Sequence, residues 1–375
     1  MSSEVTAAVL VESGRPRPYA SSNPVELTRL HLDEPGPGEL LVRVRAAGLC
    51  HSDLSVVNGA RPRPVPMALG HEAAGEVVAV GGNSAFTPGD HVVLAFVPSC
   101  GTCSQCLDGR AALCQPGGQA NRDGTLLGGG MRMSRADGCR PYHHLGVSAF
   151  ADHIVVSERS AVRIDEDIPF DIAALFGCAV LTGAGAALHA AQVRPGDTVA
   201  VVGLGGVGLA ALLAARAAGA AEIIAVDLVA AKRERALELG ASHAVVGGEE
   251  ASTTIREITE GGADHVIETT GVPAALEGAY AATRPGGITV TVGLPEPDSR
   301  LTLPALSLVA EERTLRGSYL GSCVPQRDVP RFVDMYRAGL LPVDALLSHR
   351  LDLTEINTGF DRLATGEALR QVVLF

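Results

Sequence analysis

The sequence predicts a two-domain chain, a small β-domain joined to a doubly wound parallel α/β domain. Three observations predict it. Residues 198–227, TVAVVGLGGVGLAALLAARAAGAAEIIAVD, read as strand, glycine-rich turn, helix, strand and acid. Beyond them, apolar runs at 243–246, 265–268, 288–292 and 314–319 alternate with helical segments, the pattern of a parallel sheet covered by helices. Before them, residues 1–98 hold short β-type runs at 6–11, 40–46, 76–80 and 91–96. These are separated by breakers such as Glu34-Pro35-Gly36-Pro37-Gly38 and Thr87-Pro88-Gly89-Asp90. No helical period there runs long enough to compete, so a small antiparallel barrel or sandwich is expected.

In the turn Gly203-Leu204-Gly205-Gly206-Val207-Gly208, each glycine of the G-x-G-x-x-G pattern has a job. The first allows a tight turn. The second lets a pyrophosphate approach the backbone, and the third lets helix and strand pack closely. The helix start offers free N–H groups to the phosphates. Asp227 stands about 20 residues on, where a carboxylate takes the adenosine ribose hydroxyls. A 2′-phosphate beside that carboxylate would be repelled, so the acid favours NAD over NADP. Lys232, the only lysine of the chain, lies five positions past Asp227, either as a second ribose contact or as a solvated helix residue.

The chain has 375 residues, 46% of them hydrophobic, and a formal net charge of −12, which argues against nucleic acid as the main partner. The first ten residues lack the basic start and apolar core of a secretion signal, and the longest apolar run, 199–215, is the glycine-rich stretch itself. A cytoplasmic protein with no membrane partner is expected. Four of the eight cysteines form the pattern C-x2-C-x2-C-x7-C: Cys100, Cys103, Cys106 and Cys114. Four close thiolates suit a tetrahedral, closed and therefore structural zinc site. The Cys-Pro ending of ferredoxin-type cluster ligands is absent. Upstream, Gly48-Leu49-Cys50-His51-Ser52-Asp53 is followed about twenty residues later by Gly70-His71-Glu72. Cys and His are good zinc ligands, yet on spacing alone such a pair belongs to the core or surface more often than to a metal site. Residues 115–145, Gly-rich and polar, read as a long surface loop. Strand character resumes at 150–156, a helical pattern starts at 171–175 and runs into Phe176-Gly177-Cys178, and the tail carries a helical segment at 329–338 and a strand at 371–375.

Taken together, G-L-C-H-S-D, G-H-E, the lobe of four cysteines, F-G-C-x-x-x-T-G, G-L-G-G-V-G with its Asp, and the ending A-L-R-Q-V-V-L-F resemble the zinc-dependent alcohol dehydrogenases of the medium-chain dehydrogenase/reductase family. The resemblance covers essentially the whole chain. It implies a GroES-like β-barrel catalytic domain from residues 1–179 and 320–375, a Rossmann domain from 180–319, and an active site in the cleft. It implies two zinc ions per chain, NAD as cofactor and a homodimer. Cys178 joins Cys50 and His71 as the third ligand of a catalytic zinc, Ser52 takes the alcohol proton, Asp53 fixes the His71 tautomer, and Glu72 lies near the metal. His51 and Arg370 are implied at the pyrophosphate, Val207 and Thr182 at the nicotinamide, and the backbone of Val292, Ser318 and Leu320 at the carboxamide. Phe96, His144, Leu294 and Tyr319 fall at substrate-pocket positions.

Three departures from the family stand out. Ser55 occupies the place where many relatives carry the His that ends the proton relay. His144 replaces an apolar pocket residue, as a substrate contact, an alternative base or a buried histidine satisfied by a neighbour. Gly118 stands where glutathione-dependent formaldehyde dehydrogenases carry an Arg. The expected activity is oxidation of a primary, medium-chain or aryl, alcohol. The alternative is oxidation of a thiol–formaldehyde adduct on another carrier. A non-catalytic zinc- and NAD-binding protein would tolerate a broken ligand set, whereas Cys50, Ser52, His71 and Cys178 are all present.

Overall fold

A computed structural model of the chain describes residues 3–375. It divides into two compact units. One holds the residues up to Cys178 together with Val324–Arg331 and Leu347–Phe375; the other holds Ala179–Cys323 and Phe332–Leu346.

The first unit is built on two sheets. In the five-stranded sheet the spatial order is Met133–Ser134, Val25–Leu32, Ser3–Leu10, Met67–Ala68 and Tyr142–His143. The larger sheet runs Ala161–Ile164, His91–Leu94, Glu72–Val80, Glu39–Leu49, Arg370–Leu374 and Leu347–Leu351, with His153–Ser157 also paired to Glu39–Leu49. The C-terminal strand lies antiparallel to Glu39–Leu49 with Gln371 opposite Leu49, so both ends of the chain build this unit. The strands form because β-branched and leucine side chains have somewhere dry to go: Val5, Leu30, Leu40, Val42, Leu49, Phe150 and Phe360 share one buried core. All four β-type runs expected before residue 98 are strands, each shifted, extended or shortened by a few residues.

Two local expectations are corrected. The stretch 115–145 is not a plain loop: Gln115–Asp123 is a helix with Gly117, Ala120 and Asn121 buried, and Met133–Ser134 and Tyr142–His143 are short strands. Residues His51–Val57 also form a helix, too short to show a period in the sequence. Asp53, in its first turn, reaches back to accept the N–H of Cys50 at 3.2 Å, capping the start.

The second unit is the expected doubly wound sheet. Six parallel strands lie in the order His243–Val246, Glu222–Asp227, Thr198–Val202, Ala263–Glu268, Thr283–Thr291, Thr314–Gly317. The order reverses beside Thr198–Val202, where such sheets bind ligands at the carboxyl ends of their strands. The helix Gly206–Ala217 follows directly and is almost wholly buried from Leu209 to Ala215. Its sequence, apolar but for Arg216, belongs to a core helix. Among the described residues no single helix is long and apolar enough to cross a membrane.

One buried histidine makes the first unit acid-sensitive. His143 Nε2 accepts the backbone N–H of Arg132 at 3.2 Å, and Nδ1 lies 3.2 Å from Ser148 Oγ. That pairing requires a neutral ring carrying its proton on Nδ1. Burial, and then the charge of Arg132, lower its pKa to about 4. Between that value and the ordinary 6.5 the unfolded chain binds a proton that the folded one does not. The stabilisation is therefore complete above pH 6.5 and is lost as pH falls towards 4. Denaturant unfolding at pH 7 and at pH 4.5 should show wild type losing roughly 2–3 kcal/mol that His143→Gln does not lose. Parallel losses in the two proteins would contradict this origin.

Candidate metal and dinucleotide sites

Antiparallel pairing brings the first ligand pair together. Gly48 lies opposite Glu72, so the residues that follow one strand and precede the other, Cys50 and His71, meet at the same end of the sheet. The chain then returns through the turn Ala174–Gly177. A Cβ at Gly177 would strike the carbonyl of Leu94, so only glycine passes this close to the sheet, and the next residue, Cys178, is delivered to the same place. The thiols of Cys50 and Cys178 and a ring nitrogen of His71 lie within 4.8 Å of one another, and all three residues are buried.

The donor set fits zinc. His71 Nδ1 lies 3.1 Å from Asp53 Oδ1, which holds the proton on that nitrogen. Nε2 is buried and has no hydrogen-bond partner, and it is the ring nitrogen left to take a metal. Burial opposes charge on His71, but the Asp53 carboxylate and Cys50 hold its pKa well above normal. Cys50 is lowered, first through its hydrogen bond with Cys178, and Cys178 is raised, first through the same bond. Two thiols that share a proton in this way are suited to give it up to a divalent cation. Three ligands leave a fourth position for substrate.

Around these ligands lie further residues named from the sequence. Glu72 is fully buried and bonded to Arg370, which is itself 4% exposed. Burial pushes the Glu72 carboxyl up to about 6 against the pull of Arg370. Arg370 is thus turned onto Glu72, with its Nε buried and unpartnered. Phe96 stands edge-on to His71, ring centroids 5.5 Å apart. His144 is buried with Nδ1 2.9 Å from Asp53 Oδ1. Ser52 is half-buried in the helix His51–Val57, while His51 is exposed at its start. The hydroxyl of Ser55 donates to the carbonyl of His51 at 2.8 Å, so it stands capped and not as a free terminal base.

The lobe cysteines also converge: Cys100, Cys103, Cys106 and Cys114 present their sulfurs within 4.8 Å of one another. Backbone N–H groups point at two of them. Cys114 Sγ accepts from Cys100 at 3.2 Å and Gly117 at 3.4 Å, and Cys100 Sγ accepts from Cys103 at 3.3 Å. Such donors suit anionic thiolates and fit a closed tetrahedral zinc.

In the second unit the glycine turn has the expected geometry. Gly203 has φ +90°, and a Cβ on Gly208 would collide with the Gly203 carbonyl, so helix and strand touch there. A Cβ on Gly205 would meet nothing within 4 Å, the open approach a pyrophosphate needs. Gly206 opens the helix and Val207 is half-buried in its first turn. Asp227 accepts N–H groups from Leu204 at 2.7 Å and Val229 at 2.8 Å, which fixes its carboxylate at the turn with further lone pairs available. The N–H groups of Val292 and Ser318 are spent on Glu268 and Thr291, so the backbone of these two residues can serve a ligand only through the carbonyls. Thr182, Ser318 and Leu320 are buried, Lys232 and Tyr319 half-buried and Leu294 exposed.

Two residues were not singled out from the sequence. Arg233 donates to the carbonyls of Asp227 at 2.8 Å and Leu228 at 3.0 Å, anchoring the acid-bearing turn. Asn121 donates to the Phe96 carbonyl at 2.8 Å from within the stretch expected to be a loop.

Comparisons with known proteins agree with this geometry. Residues 36–166 match the alcohol dehydrogenase GroES-like domain, and residues 206–338 match the zinc-binding dehydrogenase family. The chain is 39% identical to putative alcohol dehydrogenase D of Mycobacterium tuberculosis, over 99% of this chain and 100% of that protein. It is 39% identical to the NDMA-dependent alcohol dehydrogenase of Amycolatopsis methanolica, over 95% of this chain and 97% of that one. The crystal structure of benzyl alcohol dehydrogenase from Acinetobacter calcoaceticus superimposes with a TM-score of 0.92 at 32% identity, covering 100% of this chain and 99% of that chain.

The glycines separate binding from folding. Gly205→Ala should keep stability within ~0.5 kcal/mol yet weaken NAD binding about tenfold. Gly208→Ala should lower stability by ~1–3 kcal/mol through overpacking. Calorimetric titration and thermal unfolding check the pair; unchanged NAD binding in Gly205→Ala would contradict the assigned approach path.

Proposed function

Because the chain belongs to the zinc-dependent alcohol dehydrogenases of the medium-chain dehydrogenase/reductase family, we propose that it oxidises primary alcohols of medium-chain or aryl type to aldehydes, reversibly, with NAD as hydride acceptor. The observation that carries the proposal is the buried convergence of Cys50, His71 and Cys178, with His71 Nε2 unpartnered. These three residues hold the catalytic zinc, and the four lobe cysteines hold a structural one. Zinc supplies Lewis-acid chemistry, making the proton of a substrate hydroxyl easy to lose.

The protein's own groups do the rest. Ser52, at the start of a helix capped by Asp53 and half-buried, accepts the alcohol proton while passing its own hydroxyl proton to solvent. Asp53 keeps the proton of His71 on Nδ1. Phe96, edge-on to His71, offers an apolar wall beside the reacting carbon and favours a substrate with an apolar body over ethanol. The glycine turn takes the pyrophosphate and Asp227 the adenosine ribose, with Lys232 as a further ribose contact. Thr182, Val207, Val292, Ser318 and Leu320 receive the nicotinamide, and Leu294 and Tyr319 stand at pocket positions. NAD is preferred over NADP because the Asp227 carboxylate repels a 2′-phosphate.

The protein acts as a homodimer. Thr314–Gly317 ends the parallel sheet as an edge strand. The preceding helix Ala305–Ala310 exposes Leu306 at 76% and Val309 at 79%. An open edge beside exposed apolar side chains is a surface to be covered, and a second copy of the chain covers it.

Initial rates of cofactor reduction test the activity. Benzyl alcohol and hexanol should be turned over faster than ethanol, with NAD at least ~10-fold better than NADP, and a zinc chelator should abolish the rate. Turnover confined to formaldehyde plus a thiol would instead assign the adduct chemistry. Light scattering should give twice the chain mass for wild type and the monomer mass for Leu306→Asp with Val309→Asp; a monomeric wild type would remove the dimer.

A further inference from the structure

Two buried imidazoles converge on Asp53. Its Oδ1 lies 3.1 Å from His71 Nδ1 and 2.9 Å from His144 Nδ1, and it accepts the Gly70 N–H at 3.2 Å. Its Oδ2 accepts the Cys50 N–H at 3.2 Å. The side chains of Asp53, His71 and His144 are 0%, 1% and 3% exposed. The two rings stand edge to face, with centroids 5.3 Å apart and planes at 89°.

A ring nitrogen 2.9 Å from an ionised oxygen is stable only with a proton between them, because two lone pairs at that distance repel. His144 Nδ1 therefore carries hydrogen. The contact is bent out of hydrogen-bond alignment, so the buried Nδ1 has no aligned partner and lies against Asp53 Oδ1. Burial favours the neutral ring. The backbone leaves His144 little freedom to be elsewhere. Its segment is zipped to the one that carries His71: Tyr142 N–H bonds to Pro66 O at 2.9 Å, His144 to Ala68 O at 3.2 Å, Phe150 to Leu69 O and Ala149 to Gly70 O, both at 3.0 Å. Ser148 Oγ holds the His144 N–H as well, at 3.0 Å.

We infer that His144 is a positioning residue for the metal centre: with His71 it clamps the Asp53 carboxylate, so that the His71 imidazole stays oriented with Nε2 towards Cys50 and Cys178. This rests on those three residues being the zinc ligands. From the sequence His144 is open as a substrate contact, an alternative base or a buried histidine satisfied by a neighbour. In the clamp its Nδ1 is committed to Asp53, and its role is exerted through His71.

The test follows zinc leaving the loaded enzyme. Zinc release to excess chelator is recorded with a chromogenic indicator, beside kcat and KM for benzyl alcohol. His144→Phe keeps an aromatic ring and removes the N–H. His144→Asn places an amide N–H about where Nδ1 stands, and His144→Gln places it about where Nε2 stands. The catalytic zinc should leave His144→Phe and His144→Gln at least ~10-fold faster than wild type, and His144→Asn should restore slow release. If His144→Phe does not fold, the Asn and Gln variants still decide, since only Asn retains the donor. Equal release from wild type and all folded variants would overturn the inference, as would a fall in kcat with zinc release unchanged, which would assign His144 to substrate or proton transfer. Wild type and Cys50→Ser holding the same zinc would overturn the ligand assignment itself, and the clamp with it.

Discussion

A single carboxylate sealed from water organises the metal-bearing unit. Burying the charge of Asp53 costs several kcal/mol unless it is bonded throughout. The structure supplies backbone N–H groups from Cys50 and Gly70 and the ring nitrogens of His71 and His144. Burial works against its ionisation, yet His71 and His144 hold its pKa far below the usual carboxylate range. Each bond that offsets the burial also fixes a functional group. The bond to Cys50 starts the helix that carries His51 and Ser52, and the bond to His71 sets its tautomer. The ligand geometry and the helix start are thus consequences of one electrostatic demand.

Glycine imposes the second constraint, through backbone contacts that leave no room for a side chain. Gly177 lets the chain pass against Leu94 and deliver Cys178, and Gly208 lets its helix touch Gly203. Neither contact is chemical, yet without them the third thiol and the phosphate-binding turn would stand elsewhere. Gly205 is the opposite case, since its missing side chain leaves space that the fold does not use and a ligand can.

What was legible in the sequence was what depends on spacing. The turn from Gly203 to Gly208, Asp227 and the lobe cysteines carry their geometry in their intervals, and the parallel strands announce themselves as apolar runs. What was hidden depends on tertiary contacts. Gln115–Asp123 holds a proline, two glycines, Asn and Asp, five of nine residues that mask the helix-forming Gln, Ala and Arg. Contacts at both ends hold it: Cys114 Sγ takes the Gly117 N–H, Asn121 reaches the Phe96 carbonyl, and Arg63 reaches the Asn121 carbonyl. Likewise the pairing of Arg370 with Glu72 joins residues almost 300 positions apart. The approach of His144 to Asp53 follows from the register between two short strands, Met67–Ala68 and Tyr142–His143.

The account stands on Cys50, His71 and Cys178 holding the zinc that the dehydrogenase chemistry needs. The most direct measurement is zinc content and benzyl alcohol oxidation on the same purified sample of Cys178→Ser. The account predicts a folded protein that has lost about one of two zinc ions per chain together with its activity. A folded Cys178→Ser that keeps its full zinc content, or that still oxidises the alcohol at the wild-type rate, would contradict it.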